Sequence, residues 1–229
     1  MKLLAIETSA ESCSVALCWG DTLHVQHEVV PRKHAELVLP AVEALLARAD
    51  GALSHLDAIA FGRGPGSFTG VRIAASVAQG LALGADLPVL PISTLAVQAR
   101  GAFRRQGWRR VLVAQDARMS EVYSGMYLVN VEDDVRLIGR EVVVPPSKLE
   151  ADEQGQWCGC GSAWSVYGDA MRKALGSRLV EVEERDEPPH AADLVALAGP
   201  AFKRGEGVDA GDAVPVYVRD RVTRPSAVP

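Results

Sequence analysis

The chain has 229 residues, of which 48% are apolar, and its 24 basic and 29 acidic side chains give a net charge of −5. At about 100–200 residues per domain, this length predicts one large domain or two small lobes with a substantial core. Intrinsic disorder would need lower hydrophobicity and more net charge, and a basic nucleic-acid binder would need clustered Lys and Arg. Composition therefore excludes a disordered chain and disfavours direct RNA binding as the main activity.

No secretion signal or membrane span is predicted. The apolar run after Met1 and Lys2 ends at Glu7, which is too early for a signal peptide. No run approaches the roughly 18 uncharged apolar residues that a membrane helix needs. The four cysteines are too few to staple a chain of this length. We therefore expect reduced thiols in a cytoplasmic protein that does not bind a membrane.

The N-terminal half begins with strands and then alternates strands with helices. Short polar turns separate the first three predicted strands and favour an antiparallel meander. Those strands are predicted at 2–7, 13–19 and 22–30. The elements that follow are a helix at 31–49, a strand at 56–61, a small-residue helix at 70–83, a strand at 88–91 and a helix that begins at 94.

The basic segment 104–110 is the candidate boundary between two lobes. It divides the chain into an N-terminal lobe of residues 1–105 and a C-terminal lobe of residues 106–229. The C-terminal lobe again opens with strands, at 111–115 and 121–129, and continues with a strand at 156–159 and helices at 163–175 and 190–203. The sequence therefore predicts an α/β protein of two lobes.

A glycine-rich loop joins the strand at 56–61 to the small-residue helix, with four glycines between Gly62 and Gly70. A loop of this kind offers free N–H groups to an anion at a helix N-terminus. Ser67 or Thr69 is expected to cap the helix. The loop lacks the Gly-Lys-Ser/Thr of a Walker A motif and the spacing of a dinucleotide-binding motif. The alternative is a tight turn that allows close helix packing. The candidate anion-binding residues are Gly64, Gly66, Ser67 and Thr69.

Two polar clusters lie at predicted strand ends. Residues 7–9, Glu-Thr-Ser, provide a carboxylate and hydroxyls that suit a metal-bound phosphate, or else form an ordinary polar turn. Residues 116–118, Asp-Ala-Arg, together with Glu121 and Tyr123, suit an acid, base or anion clamp, or else a salt-bridge network. No two of the five histidines are four residues apart, so the sequence contains no helical two-histidine metal motif.

Several of these blocks resemble the TsaB (YeaZ) family of bacterial tRNA threonylcarbamoyladenosine biosynthesis proteins. The resemblance is strong over about residues 1–125 and looser beyond. It implies the two-lobed actin/Hsp70/sugar-kinase fold, in which each lobe has a ribonuclease-H-like sheet. The matching blocks are 4–9 with 13–17, 32–36 with 39–40, 62–73, 116–118 with 121–123, and the C-terminal pattern Pro215-x-Tyr217-x-Arg219.

The resemblance also implies a role and its partners. The family member is expected to be a non-catalytic subunit that binds and activates its catalytic paralogue, the threonylcarbamoyl-transferase subunit TsaD. With the small ATPase TsaE, this pair forms threonylcarbamoyladenosine beside the anticodon of tRNA. The chain is expected to form a homodimer when alone and to meet tRNA mainly through the complex. The alternative is an ATP- or metal-dependent transferase or hydrolase that acts on its own.

The resemblance implies that this chain holds no cofactor tightly. The paralogue holds a metal partly through a His-x-x-x-His helix, and Thr94 and Gln98 stand at those two positions in this sequence. We therefore expect no catalytic residue, no metal and no tightly bound cofactor, with at most a weakly bound nucleotide at the interface of the complex. Glu7 stands where Asp is common in the fold.

The helices at 32–49 and 70–84 are apolar over wide arcs, which predicts an interaction surface. We expect them to pack against the paralogue or a second copy of the chain. The alternative is that their apolar residues face their own sheet. The candidate interface residues are Leu37, Ala41, Ala74, Ala78 and Leu81.

Overall fold

The computed structural model describes residues 1–30, 32–130, 135–152, 155–183 and 185–219. These residues form two five-stranded sheets with helices on their faces. The first sheet contains β1 (Lys2–Glu7), β2 (Ser12–Trp19), β3 (Thr22–Val29), β4 (Ala58–Gly62) and β5 (Val89–Ile92). The second contains β6 (Arg110–Asp116), β7 (Val122–Val129), β8 (Val135–Val144), β9 (Trp157–Cys160) and β10 (Leu179–Val182). The helices are α1 (His34–Arg48), α2 (Phe68–Ala85), α3 (Thr94–Gln106), α4 (Ala163–Leu175) and α5 (Ala191–Lys203).

The first sheet has the strand order β3-β2-β1-β4-β5. Strands β1 to β3 form the predicted antiparallel meander, and β4 and β5 run parallel to β1. Both faces of β1 are covered, which explains its continuous apolar run. Leu4 and Ile6 pack into a core formed with α1 and α2, whereas Leu3 and Ala5 pack towards α5.

The second sheet repeats this plan with the order β8-β7-β6-β9-β10. Its first three strands are antiparallel neighbours, and β9 and β10 continue parallel to β6. A central first strand between a meander and two parallel strands is the arrangement of a ribonuclease-H-like sheet. Its presence in both halves confirms the predicted α/β fold with two lobes. The strands predicted from the sequence do not include β8 or β10.

Helices α3 and α5 lie between the two sheets and pack against each other. Helix α3 follows the first sheet in sequence but contacts β6 and β7, whereas α5 comes from the second half and covers β1. Buried Asp193 of α5 accepts two hydrogen bonds of 2.9 Å from the guanidinium of Arg104. The predicted boundary after residue 105 falls between the last strand of the first sheet and the first strand of the second. Because α5 comes from the second half and covers the first sheet, the division of the chain into lobes at this residue stays a prediction.

Two histidines meet where α5 crosses the first sheet. The rings of His27 on β3 and His190 at the start of α5 stack with centroids 4.4 Å apart. Nδ1 of His190 accepts a hydrogen bond from the amide of Ala192 and so caps the helix. Burial lowers the pKa of both rings, and that of His190 falls to about 4 because the neighbouring His27 adds to the effect. Glu187 opposes the shift at His27, and Asp193 opposes it at His190.

We expect this pair to make the fold sensitive to acid. Because the folded pKa of His190 lies below the ordinary histidine value of 6.5, the folded state binds fewer protons, and stability is lost as pH falls from about 6.5 towards 4. The His190→Asn variant keeps a capping side chain and removes one titrating ring. Between pH 7 and pH 4 the wild type should lose about 2 kcal/mol more than this variant, a value that allows for solvent screening. Urea unfolding at the two pH values measures the difference, and equal losses would contradict the expectation.

Candidate functional site

The glycine loop lies directly on the polar turn at residues 7–9. A Cβ atom at Gly62 or Gly70 would be 1.9 Å from an oxygen of that turn, and one at Gly66 would be 2.6 Å away. Real Cβ atoms do not approach other atoms so closely, and larger side chains are therefore excluded at all three positions. Packing of the loop on the turn accounts for these glycines and supports the tight-turn alternative.

Two of the candidate anion-binding residues, Gly64 and Ser67, have amides that donate to protein oxygens. The amide of Ser67 donates a 2.7 Å hydrogen bond to the carbonyl of Ser9, and the Ser67 hydroxyl accepts one from the amide of Gly70. Ser67 therefore caps α2, as predicted, whereas Thr69 lies exposed in the first turn of the helix. Gly64 has a positive φ of 97° and is buried. An anion at these four residues stays a prediction.

The Glu7 carboxylate is enclosed beneath the loop, with 1% of the residue exposed. Its Oε1 accepts a 2.7 Å hydrogen bond from the amide of Ser9, and its Oε2 accepts one of 3.3 Å from the Thr94 hydroxyl. Burial raises the pKa of Glu7 because it penalises the charged form more than these hydrogen bonds favour it. In this structure the turn is part of the core, and its carboxylate does not face open space.

Thr94 and Gln98 lie one helical turn apart on α3, towards the cleft between the sheets. The Thr94 hydroxyl also accepts a hydrogen bond of 3.3 Å from the amide of Gly64. The Gln98 side chain is hydrogen-bonded to Gln115 of β6 and donates to the carbonyl of Glu187 at 3.3 Å. Across the described ranges, no three His, Cys, Asp or Glu side chains are grouped so as to hold a metal ion. Thr94 therefore joins the loop to the first sheet, and Gln98 carries the contacts to the second lobe.

The polar cluster between β6 and β7 forms ion pairs. The amide and the guanidinium of Arg118 donate hydrogen bonds of 2.8 and 2.9 Å to the Asp116 carboxylate. Glu121 accepts a 2.6 Å hydrogen bond from Arg219. Residues 118–120 all have positive φ, so the turn is a short left-handed segment. Of the two readings of this cluster, the observed contacts are those of a salt-bridge network.

Three of the predicted interface residues are buried inside the chain. Ala41, Ala74 and Ala78 are at most 2% exposed and belong to the core beneath α1 and α2. The interface prediction is therefore wrong for these alanines, and substitution of Ala78 would test folding rather than pairing. Leu37 and Leu81 are partly buried against the same core, and their role at an interface stays a prediction.

The solvent-facing side of α2 carries a different set of residues. Among the described helices, α2 is long and apolar enough to cross a membrane, with a mean hydropathy of 1.2 over 18 residues. Its alanines Ala74, Ala78 and Ala82 are nevertheless buried in the core that α2 forms with the first sheet. Only 33% of the helix is buried, and its outer side carries small residues together with the exposed apolar side chains of Phe68 and Leu83. We call this outer face the α2 face; it comprises Phe68, Arg72, Ser76, Gly80, Leu83 and Gly84.

Comparison with known proteins gives a consistent set of relatives. A family model described as TsaD, tRNA N6-adenosine threonylcarbamoyltransferase, matches residues 22–224. The tRNA threonylcarbamoyladenosine biosynthesis protein TsaB of Escherichia coli K12 is 41% identical over 226 residues, which cover 97% of this chain and 96% of the relative. TsaB of Bacillus subtilis 168 is 36% identical over 222 residues, with 96% and 94% covered. The chain belongs to the TsaB (YeaZ) family.

A solved structure of a TsaB-family relative supports the fold. A Pseudomonas aeruginosa protein, described as uncharacterized with similarity to peptidase YEAZ, has a TM-score of 0.88 and 47% identity. The match covers 95% of this chain and 99% of that chain. The predicted resemblance to the family is thus confirmed over nearly the whole chain, including the half in which the sequence motifs were looser.

The structure also reveals a polar contact that the sequence reading missed. Buried Tyr127 of β7 donates a 2.6 Å hydrogen bond to Glu141 of β8, and Ser93 at the start of α3 binds the same carboxylate. Burial and the Glu141 charge raise the pKa of Tyr127. No local motif in this TsaB-family sequence predicts the contact, because Ser93, Tyr127 and Glu141 belong to three different segments of the chain.

The enclosed carboxylate generates a prediction about Glu7→Gln. Because the folded pKa of Glu7 is raised, burial of its charge costs stability increasingly as pH rises above the ordinary Glu range. The amide variant keeps the shape without a charge, so it should be about 1–2 kcal/mol more stable than the wild type at pH 8, with a smaller difference at pH 4. Thermal unfolding at both pH values measures this effect. A variant that is less stable at pH 8 would indicate that the carboxylate needs its charge.

Proposed function

We propose that this chain is a non-catalytic subunit that binds and activates the catalytic paralogue TsaD in the formation of tRNA threonylcarbamoyladenosine. Its family places it in the biosynthesis of that modified nucleoside. The observation that carries the finer proposal is the exposed α2 face, which is rich in small residues and carries the apolar side chains of Phe68 and Leu83. A surface of this kind suits stable docking of another protein.

The fold of the isolated chain does not require the two glycines on the α2 face. A Cβ atom at Gly80 or Gly84 would meet no atom within 4 Å, so the fold does not require glycine there. Each glycine inside a helix costs about 1 kcal/mol relative to alanine. Their presence is explained if a second helix approaches the backbone at this place.

The paralogue suits this face because it matches the same family model and should have the same fold. Two related chains can pair their equivalent helices about an approximate two-fold axis, and a second copy of this chain can do the same when the paralogue is absent. A stable interface buries about 1,200–2,000 Å² in total, more than one helix supplies. Exposed Leu39 on the neighbouring α1 is available to enlarge the surface.

The contacts of three polar residues between the sheets favour a subunit that has no catalytic activity of its own. Glu7 is enclosed, and Thr94 and Gln98 are engaged in contacts within the chain. We therefore assign catalysis, and any weakly bound nucleotide at the interface, to the complex. The small ATPase TsaE would complete this complex. The net charge of −5 supports tRNA recognition mainly through the partners.

Reconstitution tests the proposal directly. The purified chain is mixed with unmodified tRNA and threonylcarbamoyl-adenylate, with or without TsaD and TsaE, and modified adenosine is measured by mass spectrometry. We expect no product from this chain alone and strong product only in the complete mixture. Metal- or ATP-dependent product from the chain alone would overturn the proposal in favour of an independent enzyme. Equal product with TsaD and TsaE in the absence of this chain would show that it is not an activator.

The exposed glycines allow a sharper test. Gly80→Gln should leave the isolated chain as stable or up to about 1 kcal/mol more stable, because the helix loses a glycine. It should weaken binding of TsaD by at least about tenfold, since a long side chain then separates the helices. Calorimetry of folding and of binding measures both effects.

Gly168 on α4 provides the control for a long side chain at another open position, since a Cβ atom there also meets nothing within 4 Å; it follows Tyr167, where α4 is kinked. Gly168→Gln should leave the binding of TsaD unchanged. Unchanged TsaD binding by Gly80→Gln would place the interface elsewhere.

A further inference from the structure

The segment from Val214 to Arg219, here named the C-terminal strap, connects the two lobes. At one end the amide of Val216 donates a 2.8 Å hydrogen bond to the carbonyl of Arg63 in the glycine loop. At the other end the guanidinium of Arg219 donates hydrogen bonds of 2.6 Å to Glu121 and 3.1 Å to the carbonyl of Ala117. The strap therefore ties the glycine loop of the first lobe to the turn between β6 and β7 of the second.

Arg219 is partly shielded from solvent and held by several partners. Its side chain is 13% exposed, and in addition to the two oxygen acceptors it lies 3.0 Å from the sulfur of Met119 and 5.9 Å from the ring centroid of Tyr123. These partners belong to residues 116–123, the polar cluster between β6 and β7. A charged side chain with several partners at one end of a short segment fixes the position of that segment.

Between these two attachments, the strap places an aromatic ring beside the start of α2. The ring of Tyr217 lies 6.2 Å from that of Phe68, and the guanidinium of Arg72 is within 3.3 Å of the Phe68 centroid and 5.0 Å of the Tyr217 centroid. Phe68 is 57% and Tyr217 49% exposed. The free surfaces of both rings face solvent at one end of the α2 face.

We infer that the strap extends the docking face of α2, with Tyr217 contacting the partner and Arg219 acting as the residue that positions Tyr217. The inference rests on the proposed function, since the occupant is the same catalytic paralogue. Phe68 and Arg72 belong to the α2 face and also to the cluster that they form with Tyr217, so the two surfaces are continuous. Tyrosine and arginine are also the residue types that most often dominate binding energy at protein interfaces.

Charge favours a protein occupant over RNA at this place. Two of the arginines at this place, Arg118 and Arg219, are paired with Asp116 and Glu121. The others beside the strap are Arg63 and Arg72. Two arginines are fewer than the clustered Lys and Arg that binding of a phosphate backbone requires. Stacking of unpaired bases on the two rings is the competing occupant, and the experiment includes it.

The first experiment compares Tyr217→Ala with Val214→Ala. Val214 is 54% exposed on the same strap and has no ring contact, so it controls for loss of an exposed apolar side chain. Tyr217→Ala should weaken the binding of TsaD about tenfold, as expected for a central interface residue, and Val214→Ala less than about twofold. Equal effects of the two variants would overturn the assignment of Tyr217.

A double-mutant cycle tests the positioning role of Arg219. Arg219→Ala should weaken binding of TsaD about fivefold in the wild-type background and have almost no effect when Tyr217 is already alanine, because the residue acts through that ring. Hydrogen exchange should rise both at 117–121 and at the distant residues 63–66. Additive effects on binding, or increased exchange at 117–121 alone, would reduce Arg219 to a local structural role.

The outcomes separate this inference from the proposed function. If wild-type protein does not bind TsaD, the proposed function fails. If wild-type and Tyr217→Ala proteins bind TsaD equally, only the role of the strap fails. If the isolated chain binds an anticodon stem-loop RNA and Tyr217→Ala abolishes that binding while TsaD binding is unchanged, the occupant is RNA and the inference is overturned.

Discussion

The close contact between the glycine loop and the turn at residues 7–9 determines what the cleft between the lobes can do. Three glycines bring the two backbones together, and the amides of Gly64, Ser67 and Gly70 already donate to protein oxygens. A satisfied buried donor binds a new acceptor only if its existing hydrogen bond is broken, which removes most of the gain. Close packing on the turn therefore accounts for these glycines without a ligand, and an anion at the loop stays a prediction.

Enclosure of Glu7 extends this effect across the cleft. The carboxylate is held by Ser9 and by Thr94, and Thr94 in turn accepts from the loop at Gly64. One turn further along α3, Gln98 reaches Gln115 of the second sheet. Positions that the family resemblance assigns to metal ligands in the paralogue thus hold the loop, the first sheet and the second sheet together.

The sequence predicted the parts of the structure that depend on local pattern. The apolar run of β1, the meander after it and the serine cap of α2 follow from neighbouring residues, and all are present. The short strand β10 has too few residues for a periodic signal. The hydrogen bond from Ser93 to Glu141 and the anchoring of Arg219 join segments far apart in sequence, so only the folded chain brings them together.

The error at the predicted interface has a specific physical origin. Alanine, serine and glycine give α2 small residues around its whole circumference, so hydrophobic periodicity does not reveal which side faces outwards. The structure separates them: alanines such as Ala74 and Ala78 pack on the sheet, and Gly80 and Gly84 face solvent. Alanine would suit an outer face equally well in a free chain and would stabilise the helix. Glycine at these two positions lowers the stability of the isolated protein, and a closely packed second helix is the circumstance in which that loss is offset.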